Sequence, residues 1–408
     1  MIYPSLKKTT KYIMRIGIDL IDLVPKNNQG INVYSENLVK GFIKFNKKIK
    51  LQIYVSKKYF EFAKKNFKGK NTEIIIYNQQ FSYLKILILK FIVLISILFF
   101  IKQNKLYKLF KNYFFRDYKH IIKKKSDILI CPNVTLNYYG LNLRTILCIH
   151  DIQHEYLPKN FNSFQLMERK ITRKLSADYC TKLIASSKFL KDQCSYYLNK
   201  NKNDIDVIEE GVDFDLFKNK KYKNNLIRNF YLPDKYLFYP AAFWRHKNHI
   251  FLLKAIKNLK SQKINLVLCG LKKNFFTQVK EYMVKNKMRN VHYIGDLSKQ
   301  ELIKAYKFSH AVIIPSLEES SCLLVKEAVG FKKPLLCSNT KTFLEKSKSF
   351  KILFFNKNNL KDLENKIKKI YNKKTTSKKF LNSNFKKLES FKWLNVSKKY
   401  FDLCKKVY

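Results

Sequence analysis

Residues 311–328 read Ala311-Val-Ile-Ile-Pro315-Ser-Leu-Glu-Glu319-Ser320-Ser321-Cys322-Leu323-Leu-Val-Lys-Glu327-Ala328. An apolar run of strand length, a polar loop and a helical run form the strand–loop–helix unit of a parallel sheet covered by helices. Ligands of such sheets bind beyond the carboxyl ends of strands, so the loop that carries Glu319 is a candidate binding site. We expect a Ser at the helix cap, with backbone N–H groups directed at an anion. Glu319 and Glu327 are eight positions apart, about 12 Å along a helix, and can hold two separated hydroxyl-bearing groups such as a sugar ring and a ribose.

The same alternation extends from this stretch in both directions along the chain. The strands we predict are Arg15–Leu20, Ile53–Val55, Thr72–Tyr77, Ile128–Cys131, Thr145–Ile149, Lys182–Ala185 and Asp206–Ile208, followed by Tyr236–Pro240, Ile264–Cys269, Val291–Ile294, Ala311–Pro315, Pro334–Cys337 and Lys351–Phe355. A polar, basic stretch at 217–225 separates the two series and indicates a linker. The pattern predicts an α/β protein with two Rossmann-like doubly wound domains facing a cleft. Their expected bounds are 14–217 for the N-terminal domain and 226–385 for the C-terminal domain.

The charge of the chain is far from balanced, with 82 Lys and Arg against 30 Asp and Glu and a net charge of +52. This favours anionic partners such as phosphate groups or an acidic membrane surface. A compositional explanation stays open beside it, because the abundant Lys, Asn, Ile, Phe and Tyr residues all have AT-rich codons. We find no RNA- or DNA-binding motif, so a nucleic-acid partner is not predicted.

The eight cysteines are scattered, without a Cys-x-x-Cys pair, and several lie in apolar runs. We therefore expect buried, reduced thiols in a cytoplasmic protein, without a zinc site or disulfides. The stretch from Met1 to Lys11 lacks the apolar core of a signal peptide, and Met14 is an alternative start directly before the first strand.

One segment interrupts the alternation. Residues 84–101 are nearly all apolar, with Lys85 and Lys90 as the only charges, but the uncharged part at 91–101 is shorter than the ~20 residues of a spanning helix. A basic, aromatic stretch follows up to Lys125. Such a combination is typical of a helix that lies at a membrane interface, so we expect peripheral contact through 84–125 at the inner face of the plasma membrane. A buried helix beside a solvated basic one is the alternative.

Two loops of the first series carry candidate binding residues. Gly30, with Tyr34 and Asn37 after it, lies where the first strand leads into a helix, and the backbone N–H groups there can meet an anion or a sugar hydroxyl. His150 and Asp151 follow Thr145–Ile149 directly. A His at that place can orient or polarise a sugar hydroxyl, although a lone His is more often structural.

Two loops of the second series carry further candidates. Arg245, Lys247 and Asn248 follow the strand at 236–240, and two cations at a helix start can hold a diphosphate. An exposed basic loop is the alternative in so basic a chain. Gly270 follows Ile264–Cys269, where the lack of a side chain would admit a ligand close to the backbone.

Together these features resemble the retaining family 4 glycosyltransferases of the GT-B fold, over essentially the whole chain from Met14. The resemblance implies that Glu319 contacts the hydroxyls of a donor sugar and that Glu327 contacts the ribose. It implies that Lys247 and Asn248 form a donor-phosphate loop and that His150 is the acceptor-side His. It also implies that Glu210-Gly-Val-Asp213 closes the first domain and that 386–408 ends in a helix that returns to it.

The candidate residues divide into three groups on this basis. Catalytic candidates are Glu319, His150 and Lys247; donor-binding candidates are Arg245, Lys247, Asn248, Gly270, Ser320, Ser321, Cys322, Leu323 and Glu327; acceptor-side candidates are Gly30, Tyr34 and Asp151. The implied reaction is hexosyl transfer with retained anomeric configuration, in which the cations and a helix N-terminus stabilise the departing diphosphate without a metal or other cofactor. Asp213-Phe-Asp215 matches the metal-binding Asp-x-Asp motif. It lies in the connection between the domains, however, so we do not predict a metal site there.

This chain departs from the family pattern at several positions. Where many members have Gly-Phe-Gly after the first Glu, it has Ser320-Ser321-Cys322, whose side chains narrow the loop and leave the sugar open. Lys332 and Lys333 replace a Gly and a Val, and the usual phosphate Arg falls on Ala242, so Arg245 is its expected replacement. We expect a nucleotide-sugar donor, with GDP-mannose as the guess, and a glycan or lipid-linked acceptor of cell-envelope polysaccharide or lipopolysaccharide biosynthesis.

Two other functions stay open from the sequence. A nucleotide-sugar 2-epimerase on the same fold would need a second set of carboxylates or His residues around the sugar, which we do not find. A non-catalytic basic membrane-binding scaffold would account for the charge and for the altered Gly-Phe-Gly element, but not for the pair Glu319 and Glu327.

Overall fold

The structure is a computed structural model, and it describes residues 13–25, 30–45, 49–77, 87–88, 91–92, 94–95, 103–218, 222, 224–372 and 377–408. The chain divides into two compact units. The first unit comprises residues 1–185, 193–208 and 394–408, and the second comprises 186–192 and 209–393. The division at 208/209 lies before the linker expected at 217–225, and the last helix belongs to the first unit from Leu394 rather than from position 386.

The first unit contains a seven-stranded parallel sheet in the order β3-β2-β1-β4-β5-β6-β7. The strands are β1 (Arg15–Leu20), β2 (Lys50–Ser56), β3 (Thr72–Tyr77), β4 (Ile128–Cys131), β5 (Arg144–Ile149), β6 (Lys182–Ala185) and β7 (Ile205–Val207). The helices are α1 (Gly30–Phe45), α2 (Lys57–Asn66), α3 (Gln103–Phe114), α4 (Arg116–Lys125), α5 (Gln153–Tyr156), α6 (Ser163–Tyr179), α7 (Lys188–Leu198), whose first residues belong to the second unit, and the chain's last helix, Trp393–Val407. The strand order reverses between β1 and β4, which makes that pair the switch point of the sheet.

The second unit contains a six-stranded parallel sheet in the order β12-β11-β10-β13-β14-β15. Its strands are β10 (Tyr236–Pro240), β11 (Asn265–Cys269), β12 (Val291–Tyr293), β13 (Ala311–Ile314), β14 (Leu335–Ser338) and β15 (Leu353–Phe355), preceded by the short antiparallel pair β8 (Leu226–Ile227) and β9 (Phe230–Tyr231). Its helices are α8 (His249–Asn258), α9 (Phe276–Lys285), α10 (Lys299–Phe308), α11 (Leu323–Gly330), α12 (Lys341–Lys346), α13 (Leu360–Asn372) and α14 (Lys378–Leu388), and the chain's last helix is named α15 (Trp393–Val407). The switch point here lies between β10 and β13.

The sequence explains why these elements form. Strands β10 and β13 are buried along their whole length, as expected of central parallel strands covered by helices on both faces. Capping boxes begin two of the longer helices, with Ser298 and Glu301 at α10 and Asn162 and Gln165 at α6. Hydrophobic burial of both sheets then supplies the main driving force for the fold.

The prediction of an α/β protein with two doubly wound sheets is confirmed. Every predicted strand is present, and the largest error is at β2, which begins at Lys50 rather than at Ile53. The pair β8 and β9 was not predicted, because two-residue strands are too short to show a periodicity. All eight cysteines are unpaired in the structure; seven are buried, and Cys322 is half-buried.

The apolar segment at 84–101 lies mostly outside the described residues. Of it, the structure describes positions 87–88, 91–92 and 94–95, all helical. No helix in the described part of the chain combines the length and apolar character that crossing a bilayer requires. The side chains of Leu87, Phe91 and Leu94 are exposed and, with Ile88 and Phe164, line an apolar surface depression.

Candidate functional site

The switch point of the second unit brings two sequence-predicted residues together. Lys247 follows β10, Glu319 follows β13, and Lys247 Nζ lies 2.6 Å from Glu319 Oε1. Glu319 is buried, and burial alone would raise the pKa of its carboxyl, but the nearby Lys247 ammonium holds that pKa below its usual value. Burial likewise opposes the charge of Lys247, and the Glu319 carboxylate keeps the pKa of Lys247 above its usual value. Both groups therefore stay ionised at neutral pH.

The loop after β10 is held in its conformation by hydrogen bonds within it and to neighbouring residues. Arg245–Lys247 form a short 3₁₀ helix, and Asn248 adopts a left-handed conformation, with φ of 59°, directly before α8. Asn tolerates this conformation better than most residues. The Asn248 side-chain amide donates to the Pro315 carbonyl at 3.2 Å, and the buried Tyr239 hydroxyl donates to the Lys247 carbonyl at 2.9 Å. Asn248, a predicted donor-binding residue, thus joins the two loops of the switch point.

The loop between β13 and α11 is held by side chains that donate to its backbone carbonyls. The donor–acceptor pairs are Ser338 Oγ to Ser316 O at 2.5 Å, Lys357 Nζ to Leu317 O at 3.2 Å, Thr342 Oγ1 to Glu319 O, and Ser187 Oγ to Ser320 O at 2.7 Å. These bonds satisfy carbonyl groups that a loop at a buried strand end would otherwise leave without partners. They also fix the backbone on both sides of Glu319.

The helix that follows this loop begins too late to include both Glu319 and Glu327. α11 spans Leu323–Gly330, so Glu319 lies four residues before its first turn and the estimate of 12 Å along a helix does not apply. The cap residue is Cys322 rather than the expected Ser, and it adopts a φ of 76°. That conformation favours glycine, which many members of the family have at this position.

Glu327 lies on α11 in a partly buried position. The Tyr306 hydroxyl of α10 donates to Glu327 Oε2 at 2.7 Å. Burial raises the pKa of the Glu327 carboxyl, and this hydrogen bond opposes that shift. The residue is therefore oriented by a neutral donor, in contrast to Glu319, which is paired with a cation.

Two other donor-side candidates are Gly270 and Arg245. A Cβ at Gly270 would lie 2.7 Å from the carbonyl carbon of Ala241, and the φ of Gly270 is 133°. The chain's own backbone after β10 therefore approaches Gly270 closely, which is a structural reason for a glycine here; the predicted contact with a ligand stays a prediction. Arg245 is exposed on its 3₁₀ helix. The Arg245 side chain can contact an anion at this site only in a rotamer that directs its guanidinium toward that anion.

Four buried or half-buried charges lie beneath the donor-side loop. Lys326 of α11 lies 3.3 Å from Glu209 Oε2, and Lys346 of α12 lies 3.0 Å from the same oxygen. Lys326 also donates to the Glu210 carbonyl, and the Ser321 hydroxyl donates to the Glu210 carboxylate. We call Glu209, Glu210, Lys326 and Lys346 the charge cluster. Ser321, a predicted donor-binding residue, therefore contacts this cluster.

The acceptor-side candidates of the first unit lie in two hydrogen-bonded groups. His150 Nε2 lies 2.9 Å from the Pro132 carbonyl, and since a carbonyl only accepts, this nitrogen carries the proton. The Tyr34 ring packs edge-on against His150, with ring centroids 4.5 Å apart, and the Tyr34 hydroxyl lies 2.5 Å from that of Tyr400 on α15. Ring packing thus connects Tyr34 with His150, and a hydroxyl contact connects Tyr34 with the last helix.

Asp151 and Gly30 have mainly local contacts. The Asp151 carboxylate accepts from the Gln153 N–H at 3.2 Å and lies 3.7 Å from Arg169. Gly30 is the first residue of α1, and among the described residues no atom lies within 4 Å of where its Cβ would be. The polar loop before it, at 26–29, lies outside the described residues.

Several residues of the site were not singled out from the sequence. Tyr239, Ser187, Thr342 and Tyr306 each orient a loop or carboxylate by a hydroxyl. Ser187 could have been found, since it lies just after a predicted strand, whereas Thr342 lies within α12. Tyr239 and Tyr306 lie within a strand and a helix, where a Tyr gives no such signal.

The Asp-x-Asp sequence at 213–215 has a structural explanation. The Asp213 side chain accepts from the Asp215 N–H and pairs with Lys299 Nζ at 2.7 Å. Within the described ranges, no three His, Cys, Asp or Glu side chains are grouped so as to hold a metal ion.

Comparison with known proteins relates this geometry to a family. Residues 221–387 match the family model of the glycosyl transferases group 1. The O-antigen chain mannosyltransferase RfbU of Salmonella typhimurium is 26% identical over 229 residues, which are 55% of this chain and 60% of RfbU. The matched region thus spans less than two thirds of that relative.

Solved structures establish the fold. HepE of Anabaena, in complex with UDP and glucose, superposes with a TM-score of 0.68 at 12% identity, over 96% of this chain and 100% of HepE. A glycosyltransferase from Rickettsia africae superposes with a TM-score of 0.61 at 17% identity, over 97% of this chain and 98% of that protein. At such identities the likeness concerns the fold, which is GT-B with two Rossmann-like domains.

Proposed function

We propose that this chain, whose residues 221–387 match the glycosyl transferases group 1, transfers a hexose from a nucleotide-diphosphate sugar to an acceptor hydroxyl with retention of the anomeric configuration. The observation that carries the proposal is the buried ion pair of Lys247 and Glu319 at the switch point of the second unit. A cation and a carboxylate held there, beside the N-terminus of α11, suit a ligand that combines a diphosphate with hydroxyl groups.

Each donor-side residue has a role in this proposal. Glu319 accepts from hydroxyls of the donor sugar, and Lys247 and Arg245 neutralise the diphosphate. The backbone N–H groups from Ser320 to Leu323 meet the phosphates at the start of α11. Preorganised donors of this kind stabilise the charge that develops as the diphosphate leaves, which is commonly the largest contribution to catalysis.

The nucleoside would be held through Glu327. Its carboxylate is oriented by the Tyr306 hydroxyl, and no cation of the described residues donates to it, so it can accept from the two ribose hydroxyls. Gly270 and Asn248, which also maintain the backbone around this site, are proposed to contact the donor. No metal is required if cations and a helix N-terminus stabilise the diphosphate; full activity in excess EDTA is the expected outcome.

On the acceptor side, His150 is proposed to orient the attacking hydroxyl. Its Nε2–H donates to the Pro132 carbonyl, which fixes the ring tautomer, and Tyr34 packs against the ring. Asp151 and the helix start at Gly30 are proposed to bind further acceptor hydroxyls. The attacking oxygen loses its proton as the donor's bond to the diphosphate breaks, and the leaving phosphate oxygen on the same face is the proposed base.

The donor and acceptor are proposed from chemistry and from relatives. RfbU is named as an O-antigen chain mannosyltransferase, and HepE was solved with UDP and glucose. The first favours a mannosyl donor, with GDP as our proposed nucleotide, and the second makes UDP the competing nucleotide. A glycan or lipid-linked acceptor of the cell envelope agrees with the first relative's name.

Peripheral contact with an acidic membrane is part of the proposal. On α3, Lys105, Leu109 and Tyr113 are spaced by four residues and all three are exposed, so they form one outward face of that helix. Phe91 and Leu94, described just before it, are exposed as well. Exposed aromatic and aliphatic side chains beside cations suit the interface of an anionic membrane.

The test of the proposed function is nucleotide-sugar binding, measured by thermal shift with a panel of GDP- and UDP-sugars. We expect one nucleotide to stabilise the wild type, Glu327→Ala to lose most of that shift, and Glu281→Ala, at an exposed position of α9, to keep it. Transfer assays with the stabilising donor then identify the acceptor. If no donor stabilises a well-folded wild type, the proposal is wrong and a non-catalytic scaffold is favoured.

A further inference from the structure

The first unit has a polar cavity at its own switch point. The cavity has a volume of about 340 Å³, and its lining includes Asp22, which follows β1, and Thr135 and Asn137, which follow β4. β1 and β4 are the neighbours between which the strand order reverses. Crevices at this place in open α/β sheets are where ligands bind. The position alone therefore makes the cavity a candidate binding site.

The floor of the cavity is held by a buried carboxylate. Asp19, at the end of β1, accepts from the Tyr118 hydroxyl at 2.6 Å and from the Asn137 amide at 3.1 Å. The same amide nitrogen donates to Asp22 Oδ2 at 3.0 Å. Burial, followed by the charge of Asp22, raises the pKa of Asp19 to about 6. Asn137 is thus locked between two carboxylates, which fixes Asp22 at the cavity surface.

Two helices supply the walls. Tyr107 and Lys111 of α3 and Phe115 just after it are spaced by four residues and present one face, with the Lys111 ammonium donating to the Leu136 carbonyl at 2.7 Å. Glu168, Arg169, Thr172 and Arg173 form the facing wall on α6. Aromatic surfaces, carboxylates and guanidinium groups in one cavity are the mixture that binds a sugar: rings pack on the aromatic faces and hydroxyls donate to the carboxylates.

Arg173 has a donor that its surroundings do not satisfy. It is 9% exposed, its Nη1 donates to Thr172 Oγ1 at 3.2 Å, and its Nε has no hydrogen-bond partner among the described residues. Burial lowers the pKa of Arg173 to about 10, so its charge is incompletely compensated by the surrounding carboxylates. Arg173 Nε is itself shielded from solvent, so a ligand in the cavity would compensate the charge of the guanidinium rather than bond to this nitrogen.

We propose that this cavity binds a carboxylated sugar, with the sugar's carboxylate on Arg173 and its hydroxyls on Asp22 and Glu168. The planar guanidinium matches a carboxylate in shape and charge. A phosphate at the same place carries a larger negative charge than a carboxylate, so Asp22 and Glu168 would repel it more strongly. Calling the sugar a part of the acceptor rests on the proposed function, whereas the binding itself does not.

The test is titration of the full chain with methyl glucuronide, followed by ligand-observed NMR or calorimetry. We expect saturable binding by the wild type, with methyl glucoside and glucose 6-phosphate each about tenfold or more weaker, since a charge-assisted hydrogen bond is lost or a repulsion gained. We expect Arg173→Gln to weaken glucuronide binding to the affinity of the glucoside. Arg289→Gln, at an exposed position of the second unit, is the matched control and should bind as the wild type does.

A second variant covers the case in which Arg173→Gln does not fold. Thr135→Tyr fills the cavity from the half-buried loop after β4 and keeps every charge; it should abolish glucuronide binding. Thermal stabilisation by a nucleotide-sugar, measured on the same samples, should be unchanged in both variants.

Each result has one meaning. Equal affinity for glucuronide and glucoside, or a preference for glucose 6-phosphate, would overturn the proposed carboxylate recognition. A wild type that binds a nucleotide-sugar but no glucuronide would overturn the cavity assignment and leave the proposed function intact. Glucuronide binding without any nucleotide-sugar binding would support the cavity and count against the transferase.

Discussion

Lys247 and Glu319 form an ion pair of 2.6 Å that joins the loop after β10 to the loop after β13. Neither residue is near the other in the sequence, and the strand order alone makes their loops neighbours. The pair holds each charge at a buried place where it would otherwise be unfavourable. A ligand with a diphosphate and hydroxyl groups can share or replace these contacts without leaving either charge alone.

The first prediction concerns this pair. Lys247→Ala leaves the Glu319 carboxylate buried without its cation, and breaking a buried pair this way costs about 3–5 kcal/mol of unfolding free energy. The double variant Lys247→Ala with Glu319→Gln should be more stable than Lys247→Ala alone, because the neutral amide needs no cation. Urea unfolding followed by circular dichroism measures both. A double variant no more stable than the single one would mean that the pair is not energetically coupled.

The second prediction concerns the conformation of Cys322. Its φ of 76° is costly for any residue with a Cβ, by about 1–2 kcal/mol. Glycine removes that strain but loses about 0.5–1 kcal/mol through its greater freedom in the unfolded chain, so Cys322→Gly should stabilise the second unit by up to about 1.5 kcal/mol. Cys322→Ala, which keeps the Cβ, is the control and should show no gain. Equal effects of Gly and Ala in thermal unfolding would contradict the assigned strain.

Much of the fold could be predicted from the sequence, for a physical reason. A parallel strand buried on both faces must be a short apolar run, so strands such as Ala311–Ile314 are visible without any long-range information. The residues just after such strands lie at one edge of the sheet. That rule singled out Lys247 and Glu319 before their distance was known.

The rest depended on contacts between residues far apart in the sequence. Ser187 donates to the Ser320 carbonyl across 133 positions, and nothing in either local sequence indicates the pairing. The close approach of the Ala241 backbone to Gly270 could not be predicted either, because it joins two separate strand ends. The positive φ of Cys322 could not be predicted, because a residue with a Cβ rarely adopts that conformation.

The third prediction concerns acid stability. Burial, with Lys247 nearby, lowers the pKa of His249 to about 3 from its usual value of 6.5. The unfolded chain therefore binds a proton at this residue below pH 6.5 that the folded chain does not bind until about pH 3. Stability contributed by the neutral ring is complete above pH 6.5 and is lost as the pH falls, by up to about 1.4 kcal/mol per pH unit.

His249→Phe should remove that loss, since Phe keeps the stacking on Phe243, whose ring centroid lies 4.3 Å away. The measurement is the unfolding free energy of variant and wild type between pH 7 and pH 4. The difference between them should change in favour of the variant with acidification. A difference that stays constant over this range would show that His249 titrates normally in the folded protein.

The fourth prediction concerns the membrane face of α3. Leu109 and Tyr113 are 64% and 72% exposed. Replacing both with Glu adds two negative charges to an apolar, basic face and should abolish co-sedimentation with anionic phospholipid vesicles. Val284→Glu, at a residue of α9 that is 69% exposed, is the matched control and should sediment like the wild type. Undiminished binding by a folded Glu variant would place the membrane contact elsewhere or exclude it.

The last prediction concerns the charge cluster beneath the donor-side loop. Lys326 has Glu209 at 3.3 Å and donates to the Glu210 carbonyl, while burial lowers the pKa of Lys326 to about 8. The Ser321 hydroxyl donates to the Glu210 carboxylate, so the cluster fixes the loop that follows Glu319. The cluster should therefore influence donor binding through the position of this loop.

Lys326→Met leaves the negative charges of Glu209 and Glu210 with Lys346 alone, and Glu210→Gln leaves a buried Lys326 with one carboxylate fewer. Each single variant should lose stability, and the double variant should lose less than their sum by at least about 1 kcal/mol, because its remaining charges balance. Glu210→Gln should also weaken nucleotide-sugar binding, since an amide accepts more weakly from the Ser321 hydroxyl than a carboxylate does. Ser321→Ala removes the same hydrogen bond without changing charge and should reproduce the binding defect but not the stability loss. Additive stability losses, or unchanged donor binding in both Glu210→Gln and Ser321→Ala, would show that the cluster stabilises the fold without positioning the loop.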